Sequence, residues 1–179
     1  MLKVLILYSS TDGHTYKICK RISERIEKSG EADIATIADA NIYNLDSFDR
    51  IIIGASIRYG KHNPKVYEFI NQNLQLLESK DSCFFSVNVV ARKQDKNTPD
   101  TNPYIQKFLS KSDWKPKRIG VFAGKINYSK YGFIDKHMIR LIMWIGNGPT
   151  DLSGEYEFTD LSLIHISEPT RLRRISYAG

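Results

Sequence analysis

The sequence is poor in cysteine, which argues against a fold held together by disulfides. Its 179 residues include two cysteines, Cys19 and Cys83. They lie far apart in apolar segments without C-x-x-C spacing, a pattern typical of buried, inert thiols in a reducing compartment. A chain of this length can bury about two thirds of its unfolded surface in one core, so its stability requires neither disulfides nor a structural metal.

Long hydrophobic runs are absent as well. No segment approaches the roughly 20 consecutive apolar residues that a membrane-spanning helix needs. The N-terminal segment has a strand pattern that leads directly into a polar loop, without the apolar stretch and small-residue cleavage site of a signal peptide. We therefore expect a cytoplasmic protein that is at most peripherally associated with a membrane.

The sequence also lacks several motifs of catalytic and metal sites. It contains neither the P-loop pattern nor the dinucleotide fingerprint G-x-G-x-x-G. Residues 54–58 resemble the nucleophile elbow G-x-S-x-G, but Arg58 replaces the second glycine, so we reject a hydrolase. The histidines form no H-x-x-x-H or His/Cys cluster, which predicts no metal site and favours isolated surface residues. These histidines are His14, His62, His137 and His165.

The charge is unbalanced towards the basic side. The 26 lysines and arginines against 20 acidic residues give a formal net charge of +6. This balance favours an anionic partner, which could be nucleic acid, an anionic lipid surface, or a carboxylated or phosphorylated ligand. It equally suits a solvated basic surface without a specific partner. Because helix-turn-helix, zinc-finger and aromatic RNP motifs are all missing, we expect no nucleic acid partner.

Short apolar runs of strand character recur along the chain. The runs at 3–8, 50–54, 82–90 and 118–123 are rich in aliphatic and aromatic residues, as expected for strands covered on both faces. The weaker alternation at 32–37 predicts an outer strand.

Helical patterns separate these strands. Isoleucines recur every four residues over 18–26, and Gly30 is predicted to be the C-cap. A second helix is predicted to begin with Asn63 as N-cap followed by proline, and a third spans 102–109. Such alternation predicts a parallel sheet with helices on both faces and a ligand site at the carboxyl ends of the strands.

The loop after the first strand is built of hydroxyl-bearing and small residues. Residues 9–15 read Ser-Ser-Thr-Asp-Gly-His-Thr and lead into the first predicted helix. Backbone N–H groups at a helix start, together with Ser and Thr hydroxyls, can hold a phosphate without a cation. The same residues also suit a simple turn with a helix N-cap.

This strand, loop and helix resemble the FMN phosphate loop of the flavodoxin superfamily. The resemblance implies an α/β fold, a flavodoxin-like three-layer sandwich with a parallel five-stranded sheet of order 2-1-3-4-5. It also implies FMN as the cofactor. The residues that carry the match are Ser9, Ser10, Asp12, Gly13, His14 and Thr15, and these together with Thr11 are predicted to bind the cofactor.

Three further segments resemble the quinone-linked protoporphyrinogen IX dehydrogenase family. They read IGASIRYGKH at 53–62, SVNVVARK at 86–93 and TPDTNPY at 98–104. The resemblance implies an oxidoreductase of haem biosynthesis that oxidises protoporphyrinogen IX to protoporphyrin IX and passes electrons through FMN to menaquinone or ubiquinone. No side chain is an evident general base, so the chemistry is assigned to FMN.

In flavodoxin-like proteins the loops after the third and fourth strands enclose the flavin ring. By this resemblance Tyr59 is predicted to stack on the ring, which suits an aromatic residue in a glycine-bearing loop at this end of the sheet. The residues alone equally suit an ordinary, half-exposed loop tyrosine. The predicted flavin contacts are Ser56, Ile57, Arg58, Tyr59, Gly60, Asn88, Val89, Val90 and Ala91.

Residues 124–152 mix cations with large apolar groups. The apolar positions of 134–145 have helical spacing, which suits either a helix lying in a membrane interface or one packed on the core. The resemblance implies a long-chain insertion here, next to the last strand. Lys125, Lys130 and Arg140 are candidates for binding substrate propionates or the acidic lipid of the inner membrane.

The resemblance covers residues 1–160, which are predicted to form one flavodoxin-like FMN-binding domain. Residues 161–179 are interrupted by Pro169 and show no sustained apolar stripe. We expect them to be a tail that is not native to the fold, standing where flavodoxin-like chains have a final helix.

Two other functions are possible on the same fold. A flavodoxin-type electron carrier would be expected to be acidic, whereas this chain carries +6. An NAD(P)H-quinone reductase would accept electrons from NADPH. Reduction of the flavin by one donor or the other distinguishes the two enzyme hypotheses.

Overall fold

The structure is a computed structural model that describes residues 1–127, 133–145, 148–153 and 155–159. Its centre is a five-stranded parallel sheet of order β2-β1-β3-β4-β5. The order confirms the one predicted from the sequence. The strands are β1 Leu2–Ser9, β2 Gly30–Thr36, β3 Arg50–Ser56, β4 Asp81–Asn88 and β5 Arg118–Ala123.

Helices cover both faces of the sheet. On one face the isoleucines of α1 (His14–Ile26) belong to a buried apolar cluster that also contains residues of β1, β3, β4 and β5. On the other face lie α2 (Pro64–Gln72), α3 (Leu74–Ser79) and α4 (Pro103–Lys111). The three layers arise because the β-branched run of β3 is buried on both sides, and apolar helix faces exclude water from it.

Aromatic packing fixes α4 on its face of the sheet. The Phe84 ring of β4 stacks on Phe108 of α4 with centroids 3.9 Å apart, and Trp114 meets both rings edge-on. All three side chains are fully buried. This cluster places the start of α4 beside the carboxyl end of β4 and therefore beside the predicted ligand site.

Two predicted helix boundaries were wrong. Gly30 does not cap α1, which ends at Ile26 with Glu27 as C-cap; Gly30 begins β2 opposite Leu2, where a Cβ atom would overlap the Leu2 carbonyl. The helix that begins after Asn63 is interrupted at Asn73. The Asn73 side-chain amide donates to the Phe69 carbonyl at 2.9 Å and separates α2 from α3.

Additional elements follow β5. Strand β6 (Lys125–Asn127) pairs antiparallel with β7 (Glu155–Glu157), and α5 (Phe133–Ile145) lies between them in the sequence. The predicted helix over 134–145 is thereby confirmed. Lys130 and the predicted tail 161–179 lie outside the described residues.

In the part of the chain that the structure describes, no helix combines the length and the apolar character that crossing a membrane requires.

Candidate functional site

A cleft of about 490 Å³ opens at the carboxyl ends of β1, β3, β4 and β5. Most of the residues predicted to bind FMN meet there. Those that line it are Ser10, Thr11, Asp12, His14, Thr15, Ser56, Ile57, Arg58, Tyr59, Gly60, Asn88, Val89 and Val90, joined by the predicted candidate Lys125. Ser9, Gly13 and Ala91 do not line the cleft but hold its loops in place.

The first loop of the cleft ends at Gly13, the N-cap of α1, which adopts the left-handed conformation with φ 75°. A glycine adopts this conformation without steric cost. Among the described residues no side chain caps α1, so the N–H groups of its first turn are available to a ligand. Thr15 Oγ1 and His14 Nδ1 are buried and have no hydrogen-bond partner among the described residues. A buried hydroxyl without a partner at a helix start, such as that of Thr15, is a donor that a bound phosphate can use.

The second loop is a tight hairpin turn. Arg58 and Lys61 exchange backbone hydrogen bonds of 3.0 and 3.1 Å. Tyr59 and Gly60 between them have φ of 50° and 72°, as a type I′ turn demands. Lys107 of α4 donates to the Gly60 carbonyl at 3.1 Å. The turn holds the Tyr59 side chain at the cleft with 58% of its surface exposed.

Arg58 connects the second loop to the first. Its guanidinium lies over the Tyr59 ring, 5.1 Å from the centroid, and its Nη1 lies 3.9 Å from Asp12 Oδ1. Ser56 Oγ donates to the Ser9 carbonyl at 3.4 Å. These contacts join the ends of β1 and β3 on one side of the cleft.

The third loop is held by the side chain of Asn88. Its Oδ1 accepts from the Ala91 N–H at 3.0 Å and from Asn102 Nδ2 at 3.1 Å, and its Nδ2 donates to Asn102 Oδ1 at 3.3 Å and to Ser86 Oγ at 3.2 Å. Asn102 is also the N-cap of α4, where it accepts from two backbone N–H groups. The buried Asn88 amide is thus fully engaged inside the protein, and its contribution to the cleft is to shape the 89–92 turn.

The prediction that the histidines are surface residues was wrong for two of them. His14 and His62 are 7% and 3% exposed. Burial, reinforced by Lys107, lowers the pKa of His62 to about 4, so the ring is neutral at pH 7. It lies among Tyr67, Phe84 and Phe108 and bonds Ser86 Oγ through Nε2 at 2.9 Å. An isolated histidine gives no sequence signal of such burial.

Several residues of the cleft were missed by the sequence argument: Val87, Arg92, Tyr104, Gly124, Ile139 and Met143. Tyr104 ends one of the quoted sequence segments, which is the signal that pointed towards it. Ile139 and Met143 belong to α5, so the segment after β5 supplies one wall. No local pattern distinguished these two from the other apolar residues of that helix.

The other candidate residues lie elsewhere. Lys125 lines the cleft and forms an ion pair with Glu155 of β7. Arg140 lies outside the cleft, in a separate depression of about 360 Å³ formed by one face of α5. That depression is also lined by His137, Leu141, Trp144 and Thr150. Leu141 and Trp144 are 55% and 69% exposed, so this side of α5 does not pack on the core.

The cysteines were correctly predicted to be buried. Burial raises the pKa of both thiols, for Cys83 to about 11. Neither thiol is therefore a nucleophile at neutral pH.

Comparison with known proteins assigns a family to this chain. The flavodoxin domain family matches residues 5–153. Protoporphyrinogen IX dehydrogenase [quinone] of Leishmania major is 42% identical over 164 residues, which are 90% of this chain and 71% of that protein. The protein of the same name from Escherichia coli K12 is 41% identical over 160 residues, 89% of this chain and 88% of the relative.

A solved structure supports the fold. The flavoprotein of Lactobacillus acidophilus in complex with FMN superposes with a TM-score of 0.50 at 15% identity, covering 68% of this chain and 93% of the other. The sheet order and the sequence relatives agree. The chain therefore belongs to the flavodoxin domain family and, within it, to the family of quinone-linked protoporphyrinogen IX dehydrogenases.

Proposed function

We propose that this chain binds FMN in the cleft and oxidises protoporphyrinogen IX to protoporphyrin IX, with the electrons passed to menaquinone or ubiquinone. The observation that carries the proposal is the convergence of the phosphate-type loop 9–15 with the segments at 53–62, 86–93 and 98–104 on one cleft. These segments are far apart in the sequence. Only the sheet order brings them together.

The residues at the start of α1 fit a phosphate. Ser10, Thr11 and Asp12 form the loop, Gly13 turns it, and Thr15 offers a buried hydroxyl that has no partner in the described part of the chain. A phosphate would accept hydrogen bonds from this hydroxyl and from the first-turn N–H groups, and the helix dipole would favour its negative charge. The predicted phosphate residues therefore suit FMN better than an unphosphorylated flavin.

The second and third loops would flank the flavin ring. We assign this role to residues 56–60 and 88–91, with Tyr59 as the stacking residue. When bound, FMN would supply the redox chemistry, which is the uptake of the substrate's electrons in repeated two-electron steps. The protein's own contribution is orientation: Arg58 fixes Tyr59 and loop 1, while Asn88 fixes the 89–92 turn.

The substrate and the electron acceptor require different surroundings. Protoporphyrinogen IX carries carboxylates, and three cations that could pair with them line the cleft: Arg58, Arg92 and Lys125. Arg58 also lies near Asp12, and Lys125 is paired with Glu155. The quinone resides in a bilayer. The outer side of α5 carries the exposed Leu141 and Trp144 beside Arg140, a composition suited to the surface of an anionic membrane.

We therefore propose peripheral association with the inner membrane through this side of α5. Its other side, through Ile139 and Met143, lines the cleft. A single helix would thus place the flavin site next to the quinone. Lys130, outside the described residues, belongs to the same segment of the sequence and remains a candidate for binding acidic groups.

The experiment is an anaerobic turnover assay of the purified chain with protoporphyrinogen IX and menaquinone in vesicles containing anionic lipid. Porphyrin fluorescence reports the product, and acid extraction followed by chromatography identifies the flavin. Fluorescence that grows only when quinone is present, on a protein that carries FMN, supports the proposal. A parallel assay contains NADPH in place of protoporphyrinogen IX. A protein that forms no porphyrin in the first assay but reduces the quinone in the second would belong to the NAD(P)H-quinone reductases.

A further inference from the structure

His14 connects the phosphate-type loop to the end of β5. It is the first residue of α1 and is buried. Its Nε2 lies 2.5 Å from Thr159 Oγ1, and that hydroxyl lies 2.6 Å from the carbonyl oxygen of Ala123. The imidazole is thus anchored at one nitrogen, and its other nitrogen, Nδ1, makes no hydrogen bond to the described residues.

The anchoring contacts determine where the proton of the neutral ring sits. A carbonyl oxygen can only accept, so the single hydroxyl proton of Thr159 goes to Ala123. The Thr159 oxygen must then accept the second hydrogen bond, which makes Nε2 of His14 the donor. In the neutral ring Nδ1 is therefore an unprotonated acceptor, buried and without a partner among the described residues.

Four charged groups from four segments surround the ring. Asp12 in the loop and Glu157 in β7 favour the imidazolium, whereas Lys17 in α1 and Lys125 in β6 oppose it. Burial is the largest influence. Together with the two lysines it outweighs the two carboxylates and lowers the pKa of His14 below its ordinary value. At pH 7 in the flavin-free protein the ring is accordingly neutral.

A phosphate changes this balance. Its oxygens are acceptors, so they would repel the lone pair of a neutral Nδ1 at the start of α1. If Nδ1 carries a proton, the same nitrogen donates a charge-assisted hydrogen bond, which is about twice as strong as a neutral one. The nearby dianion also favours the charged form of the ring.

We infer that His14 takes up a proton when the flavin phosphate binds and thereby selects FMN over riboflavin. This inference rests on the proposed binding of FMN in the cleft. The phosphate loop thus contains neutral hydrogen-bond donors and, in addition, the His14 imidazole, which becomes positively charged when the phosphate binds. Through Thr159, the same group joins the phosphate site to the segment that follows β7.

Proton linkage fixes the sign of the expected effect. Between the pKa of His14 in the free protein and its higher pKa in the complex, FMN affinity falls as the pH rises, by up to about tenfold per pH unit. The flavin phosphate has a second pKa of about 6, and its own ionisation on binding would release protons. Net uptake at pH 7 therefore cannot come from the ligand.

The test is calorimetric titration of the full-length, flavin-free protein with FMN and with riboflavin at pH 7, in two buffers of different ionisation enthalpy. We expect uptake of up to about one proton per FMN and none for riboflavin. His14→Gln should abolish the uptake, weaken FMN about tenfold and leave riboflavin affinity unchanged. At a pH above the pKa of His14 in the complex, the wild-type protein should lose its advantage over the variant in FMN affinity.

Proton uptake that persists in His14→Gln, or equal weakening of FMN and riboflavin, overturns the inference because both indicate a structural role only. If the variant does not fold, NMR titration of the wild-type imidazole decides: a pKa that does not rise when FMN is added overturns it. FMN that binds without proton uptake refutes only the role of His14. A folded chain that binds no FMN refutes the proposed function as well.

Discussion

Asn88 and Asn102 face each other as a buried amide pair, each donating to the other's oxygen at 3.3 and 3.1 Å. Asn88 ends β4 and Asn102 caps α4, so the pair connects the sheet to the helix beneath the cleft. The same two side chains hold the Ala91 N–H and the Lys96 carbonyl. The shape of the third loop therefore depends on two amides that are buried and hydrogen-bonded on both sides.

Asn102→Ala should lower the free energy of unfolding by about 2–3 kcal/mol, because it removes a helix N-cap and leaves the buried Asn88 amide short of partners. Asn63→Ala is the matched control. Asn63 caps α2, also before a proline, but it is exposed and accepts from one N–H. Asn63→Ala should lower the free energy of unfolding by about 1 kcal/mol. Equal losses for the two variants in urea denaturation would contradict the role of the pair.

Arg58→Ala should weaken flavin binding about tenfold while changing the free energy of unfolding by less than about 1 kcal/mol. The ion pair to Asp12 is long and partly exposed, so its loss costs little stability, but Tyr59 loses the cation above its ring. Arg21→Ala is the control, because it removes an exposed arginine paired with Glu24 on the surface of α1. Flavin titration that shows the same affinity for both variants would argue against this positioning role.

His62 predicts a specific dependence of stability on pH. Its pKa is lowered to about 4 in the folded protein, so the unfolded state binds the proton first as the pH falls. The contribution of the neutral His62 ring to the free energy of unfolding is therefore fully present above about pH 6.5 and decreases towards pH 4. By pH 5 the free energy of unfolding has fallen by about 2 kcal/mol. His62→Gln should lack this component. Parallel unfolding free energies for the two proteins between pH 8 and pH 5 would contradict the assignment.

The outer side of α5 predicts binding to anionic vesicles. The double substitution of Leu141 and Trp144 by serine should reduce vesicle binding at least about tenfold, because the two apolar side chains no longer enter the interface. FMN affinity should not change. Ile42→Ser is the control, since Ile42 is also an exposed large apolar residue, 74% exposed, but lies outside α5. An equal loss of vesicle binding with Ile42→Ser would exclude α5 as the docking surface.

The parallel sheet and the position of the cleft loops could be predicted from local patterns, whereas the strand order came from the resemblance to the flavodoxin superfamily. The apolar run of β3 identifies a buried strand, and the hydroxyl-bearing and small residues of the loop 9–15 indicate a phosphate site. Parallel topology then places the loops together. Tyr59 was predicted at the cleft from the resemblance, and its left-handed turn with Gly60 was not predicted.

The remaining features depend on contacts between distant segments. His62 is buried because α2, α4 and β4 close around it, and His14 because Thr159 and β5 lie against it. The local sequence around an isolated histidine does not indicate that its ring will be buried in either of these environments. Likewise, the apolar spacing of α5 predicted a helix but did not show that Met143 would line the cleft while Trp144 would be exposed.

The central claim is that flavin bound in this cleft takes electrons from protoporphyrinogen IX and gives them to a quinone. The direct measurement is an anaerobic titration of the FMN-loaded protein that follows the visible absorbance of the flavin. Protoporphyrinogen IX should bleach it, and menaquinone added afterwards should restore it. A flavin that stays oxidised with protoporphyrinogen IX yet bleaches with NADPH would contradict the account and identify a reductase.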